Sequence, residues 1–273
     1  MPLPKQRSPN VFVKIKGLIT RETRYKDHDK LLTVVTAERG RMTVRARGVM
    51  RLKSPFAPAC QLFAYTEFTL FENKGLFSVN AAEPLELFLG LRCDARKLAL
   101  AAYFADLAEK IAESDTACDD LLRLTLNCFY ALASGLHPPE LIRAAFEMRA
   151  AVIAGYEPQL DVCIRCGSEP TNPYILPEEG GVCCADCLTP SDRSGRLIRC
   201  PVGVLPLLSY FASAPLKRLL PAVSDSNLID SAVFVTERYL FSQLGCDPKP
   251  LRFYQSLTPD PAESFRKEST YDH

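Results

Sequence analysis

The sequence predicts an α+β multidomain chain in which a small barrel of five strands precedes an all-α region interrupted by a cysteine-rich loop. Three observations predict it. Five short runs rich in Val, Phe, Thr and Ile lie before residue 81, helical periodicity takes over after residue 88, and residues 161–187 hold five of the eleven cysteines.

The strand runs are 11–19 (VFVKIKGLI), 31–36 (LLTVVT), 42–49 (MTVRARGV), 61–72 (QLFAYTEFTLFE) and 76–80 (LFSVN). β-Branched and aromatic residues favour a pleated surface, and the Gly, Asp, Asn and Pro between the runs end them. Asn73-Lys74-Gly75 reads as the turn of a hairpin joining the last two runs. Five short strands at this spacing suit an oligonucleotide-binding barrel or an SH3-like barrel.

Helices follow. In 91–113, Leu98, Ala101, Ala102, Ala105, Leu107 and Ala108 recur close to a 3.6-residue repeat among strong helix formers. A second helix is expected over 117–135, stopped by Gly135 and Pro138, and a third over 138–158, opened by proline and closed by Gly155 and Pro158. Beyond the cysteines, 201–215 is apolar but broken by prolines, and 226–245 is amphipathic. The stretch 257–273 has the composition of a disordered tail.

The cysteine loop contains Cys163 and Cys166 as one C-x2-C pair and Cys184 and Cys187 as another, seventeen residues apart. This is the spacing of a structural zinc site, because each two-residue knuckle aims two thiolates at one ion and four sulfurs complete a tetrahedron. Gly167, and the Gly180-Gly181 pair before the second knuckle, supply unhindered backbone. Cys183 offers a C-x3-C alternative to Cys184. Compartment agrees with metal: no apolar signal core opens the chain and no run approaches eighteen apolar residues, so a cytoplasmic protein with reduced thiols is expected, and eleven is an odd number for disulfides.

Four cysteines leave no open coordination position, so the ion would be structural rather than catalytic. His137-Pro138-Pro139-Glu140 has one residue too many for a zinc deaminase motif and reads as a helix start. Phosphate-loop, nucleophile-elbow and dinucleotide-turn motifs are absent from the sequence. Nothing in it asks for an enzyme.

Net charge is only +1, yet residues 1–83 carry fifteen Lys or Arg against seven Asp or Glu, and the remainder eighteen against twenty-five. The basic end is concentrated in RGRMTVRARGVMRLKSPF. There Met42, Val44 and Ala46 alternate with Arg41, Thr43, Arg45 and Arg47, so one face of the strand is apolar and the other cationic. Arg51 and Lys53 continue the row into a loop, and no acidic residue lies between Arg39 and Lys53. Arg21, Arg24 and Lys26 follow the first strand but are diluted by Glu22, Asp27 and Asp29. Such a row suits a phosphate backbone through counterion release, with Tyr25 and Phe56 as candidates for base stacking. An acidic protein tail would meet the same charges, so an adaptor that uses its zinc loop and helices to join partners is the alternative reading.

DHDKLLTVVTAERGRMTVRARGVMRLKSPF together with CIRCG…GGVCCADC resembles the bacterial RecO recombination and repair family, over residues 11 to 250. The resemblance implies an oligonucleotide-binding barrel over 1–83, a helical domain over 84–160 and 191–250, a zinc-binding loop over 161–190, and a flexible tail over 251–273. It selects Cys163, Cys166, Cys184 and Cys187 as zinc ligands and leaves Cys183 spare. It further implies binding of single- and double-stranded DNA, annealing of complementary strands, and loading of RecA together with RecR onto DNA coated by single-strand binding protein.

Overall fold

The computed structural model describes residues 11–257 apart from Ser194, Val202 and Ser224. Strands β1 (Val11–Tyr25), β2 (Asp29–Thr36), β3 (Gly40–Ala46), β4 (Tyr65–Asn73) and β5 (Leu76–Glu86) close into a barrel in the order β1-β2-β3-β5-β4. Neighbours are antiparallel except β3 and β5, which run parallel through Val44↔Phe77 and Arg45↔Ser78. A five-stranded barrel in Greek-key order is the oligonucleotide-binding fold, so of the two barrels the sequence allowed, this is the one formed.

Strand alternation builds its core. Met42, Val44 and Ala46 of β3 are buried with Ile15 and Ile19 of β1, Leu32 and Val34 of β2, and Phe68 and Leu70 of β4. Each large side chain so buried contributes about 1.5–3 kcal/mol. Two strands run past their expected ends. β1 shifts register between Ile19 and Arg21, and the polar stretch that follows continues as an exposed ribbon paired with β2 out to Tyr25↔Asp29. β5 reaches Glu86, so the boundary expected at 83 falls inside a strand. The turn at Lys74 and Gly75 has φ of 52° and 76°, the doubly left-handed geometry that matches hairpin twist.

The described chain forms two compact units. The first is the barrel up to Phe88 together with Ala108–Leu122, a segment whose sequence places it in the helical domain. The backbone explains the reassignment: Arg41 N–H donates to Glu113 O (3.2 Å), Asp115 N–H to Arg39 O (2.9 Å) and Cys118 N–H to Ala37 O (2.8 Å). Gly40 permits this approach, since it has φ of 57° and a Cβ there would stand 1.9 Å from Glu113 O.

The second unit holds α1 (Ala95–Ile111) as far as Leu107 and α2 (Asp119–Ser134) from Arg123. It continues with α3 (Pro139–Ile153), β6 (Tyr174–Leu176), β7 (Gly181–Cys183), a one-turn α4 (Pro190–Arg193) and β8 (Ile198–Arg199). Then come α5 (Val204–Ser213), α6 (Ser226–Leu244) and α7 (Lys249–Leu257). Pro206 falls in the first turn of α5, where no intrahelical N–H is lost. Asp225 caps α6 by accepting from the N–H groups of Asn227 and Leu228, and Gly245 closes it in the left-handed conformation.

Helix α3 is buried on every side from Leu141 to Met148, with α5 and α6 packed against it. Its Phe146 stacks on Phe104 of α1 at 4.2 Å between ring centroids. Three charged residues, Arg143, Glu147 and Glu237, share this interior. Arg143 Nε donates to Glu147 Oε1 (2.9 Å), which also accepts from Tyr103 Oη (2.8 Å), while Thr236 Oγ1 donates to Glu147 Oε2 (2.6 Å). The other edge of the Arg143 guanidinium meets Glu237. Burial pushes the Glu147 carboxyl and the Tyr103 phenol upward, and Arg143 opposes the rise at both.

Two further boundaries move. β8 pairs with β6, so the cysteine lobe is a three-stranded sheet reaching Arg199 rather than a loop ending at 190. The tail expected from 251 begins as α7, because Leu251 and Tyr254 are buried and Tyr254 Oη donates to Glu140 (3.0 Å). Residues 258–273 of that expected tail lie outside the described residues. Among the described residues, no helix is long and apolar enough to cross a membrane.

Candidate metal centre and basic barrel face

Cys163, Cys166, Cys184 and Cys187 come together with all four Sγ atoms within 4.8 Å of one another. Sulfurs at about 2.3 Å from a shared tetrahedral ion stand roughly 3.8 Å apart, and Cys166 and Cys184 Sγ are 3.9 Å apart. The donor set fits a closed four-thiolate metal site.

Local geometry produces it. Gly167 donates its N–H to Cys163 O (2.9 Å) to close the first knuckle, and Cys187 donates its N–H to Cys184 O (3.0 Å) to close the second. The β6–β7 hairpin carries Cys184 toward the first pair, with Ile164 N–H donating to Val182 O (2.9 Å). Gly181 is required there, because a Cβ would stand 2.3 Å from Ile164 Cγ2.

The sulfurs are already surrounded by N–H donors. Against burial, which raises it, the backbone N–H groups of Cys166, Cys184 and Arg165 pull the Cys163 thiol down to about 5. Cys187 is pushed up to about 12 by its hydrogen bond to Cys166, with burial adding to it. Cys183 is fully buried beside the cluster but outside the mutual four, with its Sγ 3.5 Å from Cys184 O.

Sequence reading passed over Arg165, which stands between the first two cysteines. Its guanidinium donates to Cys187 O (3.0 Å) and bonds Glu179 (2.8 Å) and Asp192 (2.7 Å). It thus ties the first knuckle to the second, to the β6–β7 turn and to α4. The partners lie 14 and 27 residues away, so no local pattern announced them.

On the barrel, the eight basic residues singled out from the sequence divide into engaged and open ones. Arg21 is ion-paired with Glu109, and Arg41 Nη1 donates to Glu109 O (3.1 Å). Arg45 is half-buried, donating twice to Asp29 Oδ2 (2.6 and 3.0 Å) and lying over the Tyr25 ring at 5.1 Å. Asp29 also accepts from Gly48 N–H (2.8 Å), and these two donors hold its carboxyl below the usual range. Lys26, at φ of 57° in the β1–β2 turn, reaches over Tyr25 from 5.6 Å. Arg24 borders a cleft of about 310 Å³ with Glu22, Lys30, Val49, Met50 and Ala57.

Arg47, Arg51 and Lys53 are exposed, in the loop after β3. Among the described residues they meet no carboxylate. Of the two candidate stacking aromatics, Tyr25 is exposed, whereas Phe56 packs against the barrel core.

Family comparison divides the chain close to where the barrel ends. The family model described as recombination protein O, N terminal, matches residues 11–88, and that for the C terminal matches 92–249. The chain belongs to the RecO family. The DNA repair protein RecO of Acetivibrio thermocellus is 27% identical over 247 residues, covering 90% of this chain and 97% of that protein. That of Alkaliphilus metalliredigens is 28% identical over 235 residues, covering 86% and 94%. A Listeria monocytogenes RecO is 29% identical over 206 residues, covering 76% and 79%. The RecO N-terminal match contains β1–β5 and every candidate DNA-contact residue; the C-terminal match contains all four cysteines.

Proposed function

We propose that this chain is a DNA repair protein acting as a recombination mediator. It binds single- and double-stranded DNA on the barrel, anneals complementary strands, and with RecR helps load RecA onto DNA coated by single-strand binding protein. The observation that carries the reading is the loop after β3, where Arg47, Arg51 and Lys53 are exposed on an oligonucleotide-binding barrel with no acidic residue between 39 and 53. In this fold strands 2 and 3 and the adjoining loops are the nucleic-acid surface. Arg41 and Arg45 extend the field along β3, and Arg21, Arg24 and Lys26 along the β1–β2 ribbon. Mechanistically, strands held on one cationic surface meet at raised local concentration, and no covalent bond changes.

The four thiols would hold a zinc ion through Cys163, Cys166, Cys184 and Cys187, with Cys183 left out. Zinc bound there supplies a cross-link between the two knuckles and neutralises the thiolates. The protein works in the cytoplasm on the nucleoid.

The test is annealing of complementary strands precoated with single-strand binding protein, comparing wild type with Arg47→Glu/Arg51→Glu. Acceleration by the wild type and its loss in the variant are expected. In direct binding, Arg47→Ala/Arg51→Ala should flatten the salt slope on single strands by about 1.4, at roughly 0.7 per phosphate contact. Arg45 is a poor choice for charge reversal, because it is bonded to the carboxylate that also anchors the loop. Folded wild type that accelerates nothing at any salt would overturn the mediator reading in favour of an adaptor whose basic barrel docks acidic protein tails.

A further inference from the structure

The loop that carries the open cations also carries an apolar side chain with nothing over it. Leu52 is 103% exposed, more than any other large apolar residue described. A leucine wholly in contact with water forgoes the stabilisation that burial gives an apolar side chain. The surroundings make it more than a stray surface leucine. Ser54 N–H donates to Arg51 O (3.0 Å), closing a turn whose two corner residues are Leu52 and Lys53. Behind it, Arg51 N–H donates to Gly48 O (3.1 Å), Met50 N–H to His28 O (3.0 Å), and Gly48 N–H to Asp29 Oδ1 (2.8 Å). The apex is therefore mounted on a base anchored to the β1–β2 turn. Val49 is buried, and Met50 and Phe56 pack against the barrel core, so Leu52 alone of the loop's large apolar side chains stands free.

We propose that Leu52 is a wedge that enters the base stack of bound DNA while Arg47, Arg51 and Lys53 hold the flanking phosphates. A single apolar side chain ringed by cations matches what a nucleic acid offers at one opened base step: two base faces inside, phosphates outside. Unstacking a step costs free energy, which the phosphate contacts and the covered leucine offset. A lipid surface would be the other apolar, anionic partner. Membrane insertion relies on a broad apolar face, however, and here the neighbouring apolar residues are turned into the barrel. The inference rests on the DNA-binding reading above and assigns a residue that reading leaves idle. It would make the barrel able to open paired or stacked bases and present them for re-pairing.

The experiment uses the full chain and a duplex carrying 2-aminopurine, whose fluorescence rises when its base loses its stacking neighbours. Wild type should raise the signal on binding. Leu52→Ala should bind with an unchanged salt slope, since no cation is removed, yet lose the rise; Leu52→Phe should restore it. Because position 52 is fully exposed, neither change should alter the unfolding temperature. An equal rise with Leu52→Ala, or binding by wild type with no rise at all, would overturn the wedge while leaving DNA binding standing. Failure of wild type to bind DNA even at low salt would overturn the underlying reading as well. Vesicles of phosphatidylserine and phosphatidylcholine complete the test: binding that depends on Leu52, with no response on the duplex, would assign the apex to a membrane surface instead.

Discussion

Removing the Arg143 guanidinium tests the interior of the helical unit most directly. Arg143 is 1% exposed and Glu147 fully buried, and the one cation faces two carboxylates, Glu147 and Glu237. In Arg143→Met the fully buried Glu147 loses its counter-charge, and Glu237 loses one of its partners. Breaking a buried pair by deleting one partner costs about 3–5 kcal/mol, and the complete burial of Glu147 places this case at the upper end. At about 2–4 °C per kcal/mol for a unit of this size, the melting temperature should fall by about 10–20 °C. Thermal unfolding followed by circular dichroism at neutral pH measures it. The pH dependence follows from sign. Burial already raises the Glu147 carboxyl above its unfolded value, so between the two values the folded state binds more protons than the unfolded, and stability contributed there falls as pH rises. Without Arg143 that rise is larger, and the deficit should narrow on acidification from pH 7 toward 5. Replacing the whole set, with Arg143→Met, Glu147→Leu, Glu237→Leu and Tyr103→Phe, should recover most of the loss, because a packed apolar interior needs no counter-ions. A cost below about 1 kcal/mol for Arg143→Met alone would refute the view that this cation compensates the buried Glu147.

The cysteine lobe yields two more expectations. Cys166→Ser should abolish stoichiometric metal in the purified protein, read by elemental analysis, and speed amide exchange in β6–β8, while the full chain keeps its DNA affinity; loss of DNA binding in step with metal would show that the centre is not local to its lobe. The Asp192 carboxyl, drawn down to about 2 chiefly by its hydrogen bond to Arg165, should titrate there by NMR and return toward the ordinary carboxylate range in Arg165→Ala. Because its folded value lies below the unfolded one, its contribution is present above roughly pH 4 and disappears as pH falls through about 2; a midpoint near 3.8 in the wild type would mean the ion pair does not form.

Much of this was legible in the chain itself because the signals are local. Alternation placed Met42, Val44 and Ala46 inward, and cysteine spacing selected four thiols that the fold brings within 4.8 Å. What remained hidden depends on partners distant in sequence. Arg45 reads as one more exposed cation until Asp29, sixteen residues earlier, is seen to hold it. Arg21 appears diluted by Glu22, but its actual counter-charge is Glu109, 88 residues on. The strands of the cysteine lobe are two or three residues long, too short for periodicity to register, and exist because they pair with one another. Buried Arg143 and Glu147 sit at i,i+4 on α3, a spacing that looks like an exposed surface pair; only the helix's burial on all sides makes them interior.

The backbone strap from Glu113 to Cys118 bears on how this protein is made. All five strands have been synthesised by residue 86, yet the N–H of Arg41 and the carbonyls of Ala37 and Arg39 find their partners only in residues 113–118. At about 5–20 residues per second, the nascent barrel waits some 2–6 s with that stretch of edge open. An unpaired edge is an invitation to the wrong neighbour. Synthesis order thus gives the Glu113–Cys118 segment a role as the barrel's last closing piece, and a fragment ended at residue 88 would carry the open edge permanently.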